Sequence, residues 1–392
     1  MALVVGVALS NFAARKDKLD FSQFYCAAQI VRQGLGRNLY DLRTQLAFQS
    51  RVAPVHAFYN HPPFEALFFL PFTYLSYRAA YNLWTIAGLV LLLWAARLIE
   101  SRSKASLAVS QYARMHADFG LVFVLFLTFG PASTCLLIGQ DSMLTLLIYT
   151  VVFVLLKREK NFWAGCVLAL GLFKFQFIVP FAVILLLRRK WSALKGLTAV
   201  AIPLILISAG VSGPQVLTGY PRFLLFDKTY QQVAGFEPEY MANIRGLLYL
   251  LIHRVVPGFA FGVLLAALSV LALWWAARNW KDEQFDVSFS AAVIATLLAS
   301  YHLYTYDLTL LLLPIAIVCG DLARRGRLLS NPVLTVALAV LFVPPLHLVL
   351  VEHRIYALMC IPVLVLFFIV IRLIRAGGIQ DPAGVAFREV SA

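Results

Sequence analysis

Long apolar runs punctuated by short basic clusters define this chain. Trp84–Ile99, Phe119–Gly139 and the stretch ending in Phe367–Ile374 lack the period-two alternation of a membrane β-barrel strand. They approach the roughly 20 residues of helix that cross a hydrocarbon core, so the pattern predicts spanning helices. Lysines and arginines gather between the runs, around Arg97 to Arg114, Lys157 to Lys160, Arg188 to Lys195, Arg278 to Lys281, Arg324 to Arg327 and Arg372 to Arg375. This is the positive-inside pattern, which assigns these turns to the cytoplasm. Each interval between clusters then holds an even number of crossings. The chain reads as an all-α, polytopic integral membrane bundle of about eleven or twelve transmembrane helices.

Parity organises the middle of the chain. Two spans joined at Gly139-Gln140-Asp141-Ser142 fill the interval from Arg114 to Lys157. The next interval, from Lys160 to Arg188, starts and ends on the same side within one apolar run. It must be a tight hairpin of two short helices with Lys174, Phe175 and Gln176 near its tip. A lysine at the centre of a lipid-facing helix costs about 2.5–3.5 kcal/mol, so at the tip it should face the far side or a cavity open to it. Later crossings turn outside at Ser300–Leu308 and at Val351–Arg354.

Residues 1–376 read as a single transmembrane domain with two sizeable outer loops, about 15–63 and about 213–245, and 377–392 as a cytoplasmic tail. In the first loop Phe21, Phe24, Tyr25, Ala28 and Val31 recur at helical spacing, with Ser22, Gln29, Arg32 and Gln33 opposite. That predicts a short amphipathic helix lying on the outer membrane surface. A second helix follows Gly34–Asn38, and His61-Pro62-Pro63-Phe64 ends it. The run Glu65–Leu75 is too short and interrupted to span, and is expected to dip into the interface. The stretch before Arg15 is too short to cross comfortably and lacks the basic start of a signal peptide, so a short or truncated first helix is expected.

Composition agrees: 61% hydrophobic and 13% charged residues describe a membrane protein. The net charge of +14 sits in the inter-span clusters, so it does not signal a nucleic-acid partner. Cys26, Cys135, Cys166, Cys319 and Cys360 are scattered, with neither disulfide nor metal spacing. No duplicated hydropathy pattern supports a two-halved transporter. Walker A, GxGxxG and HExxH motifs are missing, and no soluble α/β domain is present to hold a nucleotide.

Uncommon polar residues fall on the outer side of this topology: Asp20, Tyr25, Arg37, Asp41, His61, Gln140, Asp141, Lys174, Gln176, Arg222, Lys228, Asn243, Arg245, His302, Tyr306 and Asp307. The cytoplasmic turns offer no comparable acidic or polar lining. Asp20 fits a general base at the membrane surface, or an N-cap paired with Gln23. Lys174 and Gln176 fit an anion site, or a lysine that snorkels to the interface. Asn243-Ile244-Arg245-Gly246 opens a helix and suits phosphate, or is a capped start. His302, Tyr306 and Asp307 suit a site or an aromatic girdle. His56 and His61, five apart, are poorly spaced for a metal pair on one helix, and no metal ligand is assigned. Gly258–Gly262 reads as a small-residue packing motif.

Asp20–Asp41, Asn60–Trp84, Ile138–Tyr149, Trp163–Trp191, Asn243–Leu248 and Ser300–Pro314 resemble, in order, the pattern of glycosyltransferase family 87. Its members are polytopic enzymes of the GT-C fold class, typically mannosyltransferases that draw on a polyprenyl-phosphate sugar. The first helix departs from the pattern in its shortness, and the hairpin reads Lys-Phe-Gln-Phe where a Lys-Pro-Gln-Pro-like sequence is common.

The resemblance implies a membrane glycosyltransferase without cofactor, weak divalent-metal dependence being left open. It would move a sugar, mannose in most members, from a polyprenyl-phosphate donor to a lipid-linked or glycan acceptor, with inversion. Asp20 takes the catalytic-base position, Asp41 is the next acidic candidate, and His302 matches a late-loop histidine of the site. Lys174, Gln176 and Arg245, with Asn243 and Gln140, would hold the donor phosphate. Tyr25, His61, Tyr306 and Asp307 are further site candidates. The expected location is the inner (plasma) membrane, with the site facing the periplasm or exterior and membrane lipids around it. Rival readings are a polar-lipid flippase or transporter, and an assembly factor without chemistry.

Overall fold

The computed structural model describes residues 20–52, 57–107, 126–226, 237–324, 326 and 331–376. The expectations for the chain before Asp20, for His56, Arg114 and Lys228, and for the tail lie outside the described residues. All described secondary structure is helical. A cap forms first, from α1 (Phe21–Arg32), α2 (Leu42–Gln49) and α3 (Pro63–Ala66), followed by the long α4 (Tyr77–Leu107). The body continues with α5 (Gly130–Ile138), α6 (Ser142–Lys157), α7 (Asn161–Leu170), α8 (Phe175–Leu187) and α9 (Trp191–Ser212). Then come α10 (Val216–Phe226), α11 (Ile244–Ile252), α12 (Gly258–Asn279), α13 (Phe285–Ala299) and α14 (Leu312–Arg324). Three more close the chain, α15 (Pro332–Leu341), α16 (Pro344–Glu352) and α17 (Cys360–Arg375).

Among the described residues, 6 helices are long and apolar enough to cross a membrane, or up to 7 if the pair α15 and α16, bent by 65°, counts as one broken span. The protein is a polytopic helical membrane protein. The count falls short of eleven or twelve partly because the inner helices are short: α6 has 16 residues and α13 has 15. Every residue from Val287 to Leu298 of α13 is buried, packed against α12, α14 and α17. Buried all round, it is a core helix.

The bundle has two polar ends. At one, Lys157 Nζ pairs with Asp286 at 2.7 Å and Lys190 Nζ with Asp282 at 3.0 Å, while Lys281 Nζ donates to the carbonyl of Ile374 at 2.9 Å. Four of the predicted cytoplasmic clusters therefore share one face. At the other end, Arg354 pairs with Glu237 at 2.8 Å, joining the expected outer turn to the later outer loop. The helix α6 connects the ends over about 24 Å at 1.5 Å per residue, less than the roughly 30 Å of a hydrocarbon core. On its own it is too short to bridge that core.

By length and composition Asn161–Leu187 would make one 27-residue span. Drawn straight, it would be about 40 Å long and would separate its ends by the whole membrane. Instead, a Cβ built on Gly165 would lie 1.8 Å from the carbonyl oxygen of Ala193, and one on Gly196 would lie 1.9 Å from that of Phe162. The start of α7 is therefore beside the start of α9, directly after α8. The run folds back through the 3-10 turn Gly171–Lys174, where Lys174 leaves helical geometry at φ −111°, ψ 60°. This is the hairpin that parity requires, with Lys174 at its tip.

Three expectations change. The helix α1 is not on the membrane surface, since both its apolar Phe21 and Phe24 and its polar Ser22 and Gln23 are buried. The 3-10 segment Leu67–Tyr74 folds over it, and Phe69 stacks on Phe24 at 4.8 Å. Gly258 and Gly262 have nothing within 4 Å of a built Cβ, so the close helix crossing uses Gly165 and Gly196 instead. The end expected to be cytoplasmic does have acidic lining: a cavity of about 910 Å³ there is bordered by Asp282, Glu283, Asp286 and Asp321 as well as Lys157 and Lys190.

Candidate active site

The polar end opposite the basic clusters is organised by the turn between α5 and α6. Gly139 ends α5 at φ 73°, a left-handed conformation that glycine adopts without a Cβ penalty. A Cβ there would lie 2.6 Å from that of Phe21. The missing side chain lets the first turn of α1 sit against this corner, and Asp20 arrives beside Gln140. Gln140 Nε2 donates to Asp20 Oδ2 at 2.7 Å. Asp20 makes no side-chain capping bond to α1, so its carboxylate faces the site.

The next two residues of the turn hold the lysine. Lys174 Nζ lies 2.7 Å from Asp141 Oδ1, 2.6 Å from Asp307 Oδ1 and 2.6 Å from Ser142 Oγ, with the Tyr306 ring centroid 5.2 Å away. An ammonium has three N–H donors, and these partners occupy all three. Lys174 is 1% exposed. Its charge is thus balanced from within the protein, where the sequence led us to expect a lipid phosphate to supply the partner. Asp307 is fixed in turn, accepting from Ser142 Oγ at 2.9 Å and, through Oδ2, from the backbone N–H of Tyr304 at 3.1 Å.

A second group closes the pocket from the cap. His61 Nδ1 lies 3.1 Å from Glu65 Oε2 and 3.8 Å from Asp141 Oδ2. The His61 ring is wedged between Phe24 and Tyr59, with centroids at 5.2 and 5.8 Å. On the far side His302 packs edge-on against Tyr304 at 4.1 Å. Nearby, Arg245 donates to the carbonyl of Tyr301 at 3.1 Å and lies over that ring. Asn243 caps α11 by accepting from Gly246 N at 3.0 Å and donates to the carbonyl of Ser300 at 2.7 Å, which clips the two outer loops together.

Burial raises the Asp20 carboxyl to about 6, against the Gln140 hydrogen bond and the attraction of Lys174 and His61, which hold it down. It is therefore ionised at neutral pH yet poised to accept a proton. Burial depresses His302 to about 3, with Arg245 and Lys174 adding to the effect, so its imidazole is neutral. Burial also raises Glu65, although the adjacent His61 opposes the rise.

The structure thus brings Asp20, Gln140, Lys174, Tyr306, Asp307, His61, His302 and Arg245 to one end of the bundle. Gln176 is half-buried on the first turn of α8. Two expected site residues are elsewhere engaged. Tyr25 donates to the carbonyl of Leu75 at 2.8 Å within the aromatic cap, and Asp41 is an exposed N-cap that accepts from Thr44 N at 2.8 Å. Sequence reasoning gave no role to Glu65 or Ser142, and counted Asp141 only among the polar residues of the outer side. The available signal was a lone acid in an apolar run, four residues after His61.

The family model of glycosyltransferase family 87 matches residues 59–314. The chain belongs to glycosyltransferase family 87. It is accordingly a membrane glycosyltransferase, acting on a sugar donor and an acceptor in a lipid setting. No curated protein and no solved structure matches the chain. The family match takes in Glu65, Asp141, Lys174, Arg245, His302 and Asp307, while Asp20 lies upstream of it.

Proposed function

We propose that this family 87 enzyme, of GT-C type, transfers mannose from a polyprenyl-phosphate donor to a hydroxyl of a lipid-linked or glycan acceptor. Transfer takes place on the extracytoplasmic side of the inner membrane. One observation carries the reading: Asp20, poised near neutrality, shares a compartment with Lys174 through the adjacent residues Gln140 and Asp141. The side is argued from charge, because the basic clusters hold the opposite end of the bundle.

In the proposed step the acceptor oxygen attacks the anomeric carbon and gives its proton to Asp20. The bond from that carbon to the phosphate oxygen breaks, its electron pair leaves with the lipid phosphate, and configuration inverts. Negative charge grows on the leaving phosphate, so cations placed beforehand stabilise the transition state more than the ground state. Arg245 is suited to this, since a guanidinium has five N–H donors and the bond to Tyr301 uses one of them. Neutral His302 can donate or accept a hydrogen bond at the sugar. Lys174 is a positioning residue that fixes Asp141 and Asp307.

A site floored by the short helix α6 suits a lipid headgroup that enters sideways from the membrane. A flippase would instead need a polar path between the two ends. Among the described residues, buried Leu146, Tyr149, Phe153, Phe177, Phe181 and Phe289 fill much of the interior between them. The deciding assay uses purified enzyme in detergent with radiolabelled polyprenyl-phosphate mannose and glycolipid acceptors. Transfer supports the reading; lipid movement across vesicles without transfer would replace it with the flippase.

A further inference from the structure

We propose that His61, Glu65 and Asp141 form a binding site for one divalent transition-metal ion, Mn2+ or Zn2+, beside the catalytic base. Their ligand atoms all lie within 4.8 Å of one another. Ligands bound at about 2.0–2.2 Å stand roughly 3 to 3.5 Å apart. The spacings of 3.1 Å from His61 to Glu65 and 3.8 Å from His61 to Asp141 need only small adjustment to meet that.

The three side chains are held in place without a ligand. Phe24 and Tyr59 flank the imidazole, Pro62 and Pro63 start the short helix that carries Glu65, and Gly139 sets the corner that carries Asp141. The polar atoms are also short of partners. Glu65 is 1% exposed and its carboxylate meets the His61 imidazole at 3.1 Å, while Asp141 is held by the ion pair to Lys174 at 2.7 Å; among the described residues no well-aligned donor satisfies the rest of these buried carboxylates. Buried carboxylates without donors are costly, and a cation would satisfy both.

Charge points the same way. Asp20, Glu65, Asp141 and Asp307 face one fully engaged lysine and the His61 imidazole, with Arg245 at the edge. An anionic donor would enter this carboxylate-rich pocket against repulsion. A divalent ion on two carboxylates and a neutral imidazole balances those three ligands and leaves Lys174 to Asp307. One nitrogen and two carboxylate ligands suit Mn2+ or Zn2+ better than Ca2+, which takes six to eight oxygens. Coordination positions not taken by protein would meet the donor phosphate, a role that rests on the proposed donor.

The test uses full-length enzyme in detergent, stripped with EDTA and titrated with Mn2+ while the electron paramagnetic resonance signal of free Mn2+ is followed, and with Zn2+ followed by elemental analysis. We expect one ion per chain. Binding should weaken in Glu65→Gln and in His61→Asn by more than the roughly 10- to 100-fold that loss of an outer-sphere partner costs. Asp41→Asn should bind as the parent does. Thermal unfolding of each variant verifies folding, and either variant alone suffices if the other does not fold. Absence of stoichiometric binding, or equal affinity in the folded variants, overturns the site and leaves a histidine–glutamate pair. Full transfer by metal-free enzyme overturns the ion's part in turnover. Metal binding that is lost in the variants, without turnover of any polyprenyl-phosphate sugar, upholds the site and refutes the donor.

Discussion

Asp20 and Gln140, 120 residues apart in the chain, meet through a 2.7 Å hydrogen bond that sets the carboxylate beside the Lys174 network. Replacing Asp20 with Asn keeps the shape and removes the base. Transfer should fall by at least the roughly 10²- to 10⁴-fold that general-base catalysis supplies. Donor affinity and thermal stability in detergent should stay close to the parent. Normal turnover by the variant would remove Asp20 from the mechanism.

The same bond predicts a pH profile. Asp20 acts deprotonated, and its carboxyl is raised to about 6, so kcat/KM should fall as pH drops through that value and level off above it. The Gln140 bond lowers the pKa, so Gln140→Leu should move the acidic limb to higher pH. An unmoved limb would assign it to another group.

Lys174 is expected to matter for stability more than for donor affinity. Lys174→Met leaves Asp141 and Asp307 buried without their cation, a class of change that costs about 3–5 kcal/mol. Thermal unfolding in detergent measures the loss. A folded, stable variant with only a raised KM for donor would instead place the lysine on the phosphate.

Gly165 and Gly196 should tolerate no side chain. Alanine at either site drives a methyl into a backbone carbonyl and should cost at least the roughly 1–3 kcal/mol of core overpacking. Alanine at Gly258 or Gly262, where nothing is within 4 Å, should leave the unfolding temperature unchanged.

Sidedness can be read by labelling single cysteines in a cysteine-free background. Glu283→Cys borders the cavity at the basic end and should react with an impermeant maleimide only from the cytoplasm. Glu237→Cys, at the Arg354 pair, should react only from outside. The reverse pattern would invert the proposed orientation.

The hairpin at Lys174 was legible because charge counting constrains topology: two basic clusters too close for a return journey force a fold-back. The placement of α1 was not, because its own periodicity could not reveal that Leu67–Tyr74 would cover its polar side. Gly165 and Gly196 escaped notice because neither has a second glycine four residues away, while the spaced pair Gly258 and Gly262 drew attention and packs on nothing. Asp20 could be singled out by its place in a motif, but its partner Gln140 emerges only when Gly139 brings α1 against the corner. Glu65 was hidden in an apolar run that reads as interfacial.

The lysine at the hairpin tip also bears on how the protein is made. During synthesis Asp141 and Ser142 precede it and can meet it as the hairpin enters the bilayer. Its other carboxylate, Asp307, is translated 133 residues later. Until then the nascent bundle holds a half-compensated ammonium at membrane depth. Ribosome-stalled chains ending between the two should show a loosely inserted, protease-sensitive hairpin that locks once the last acid arrives.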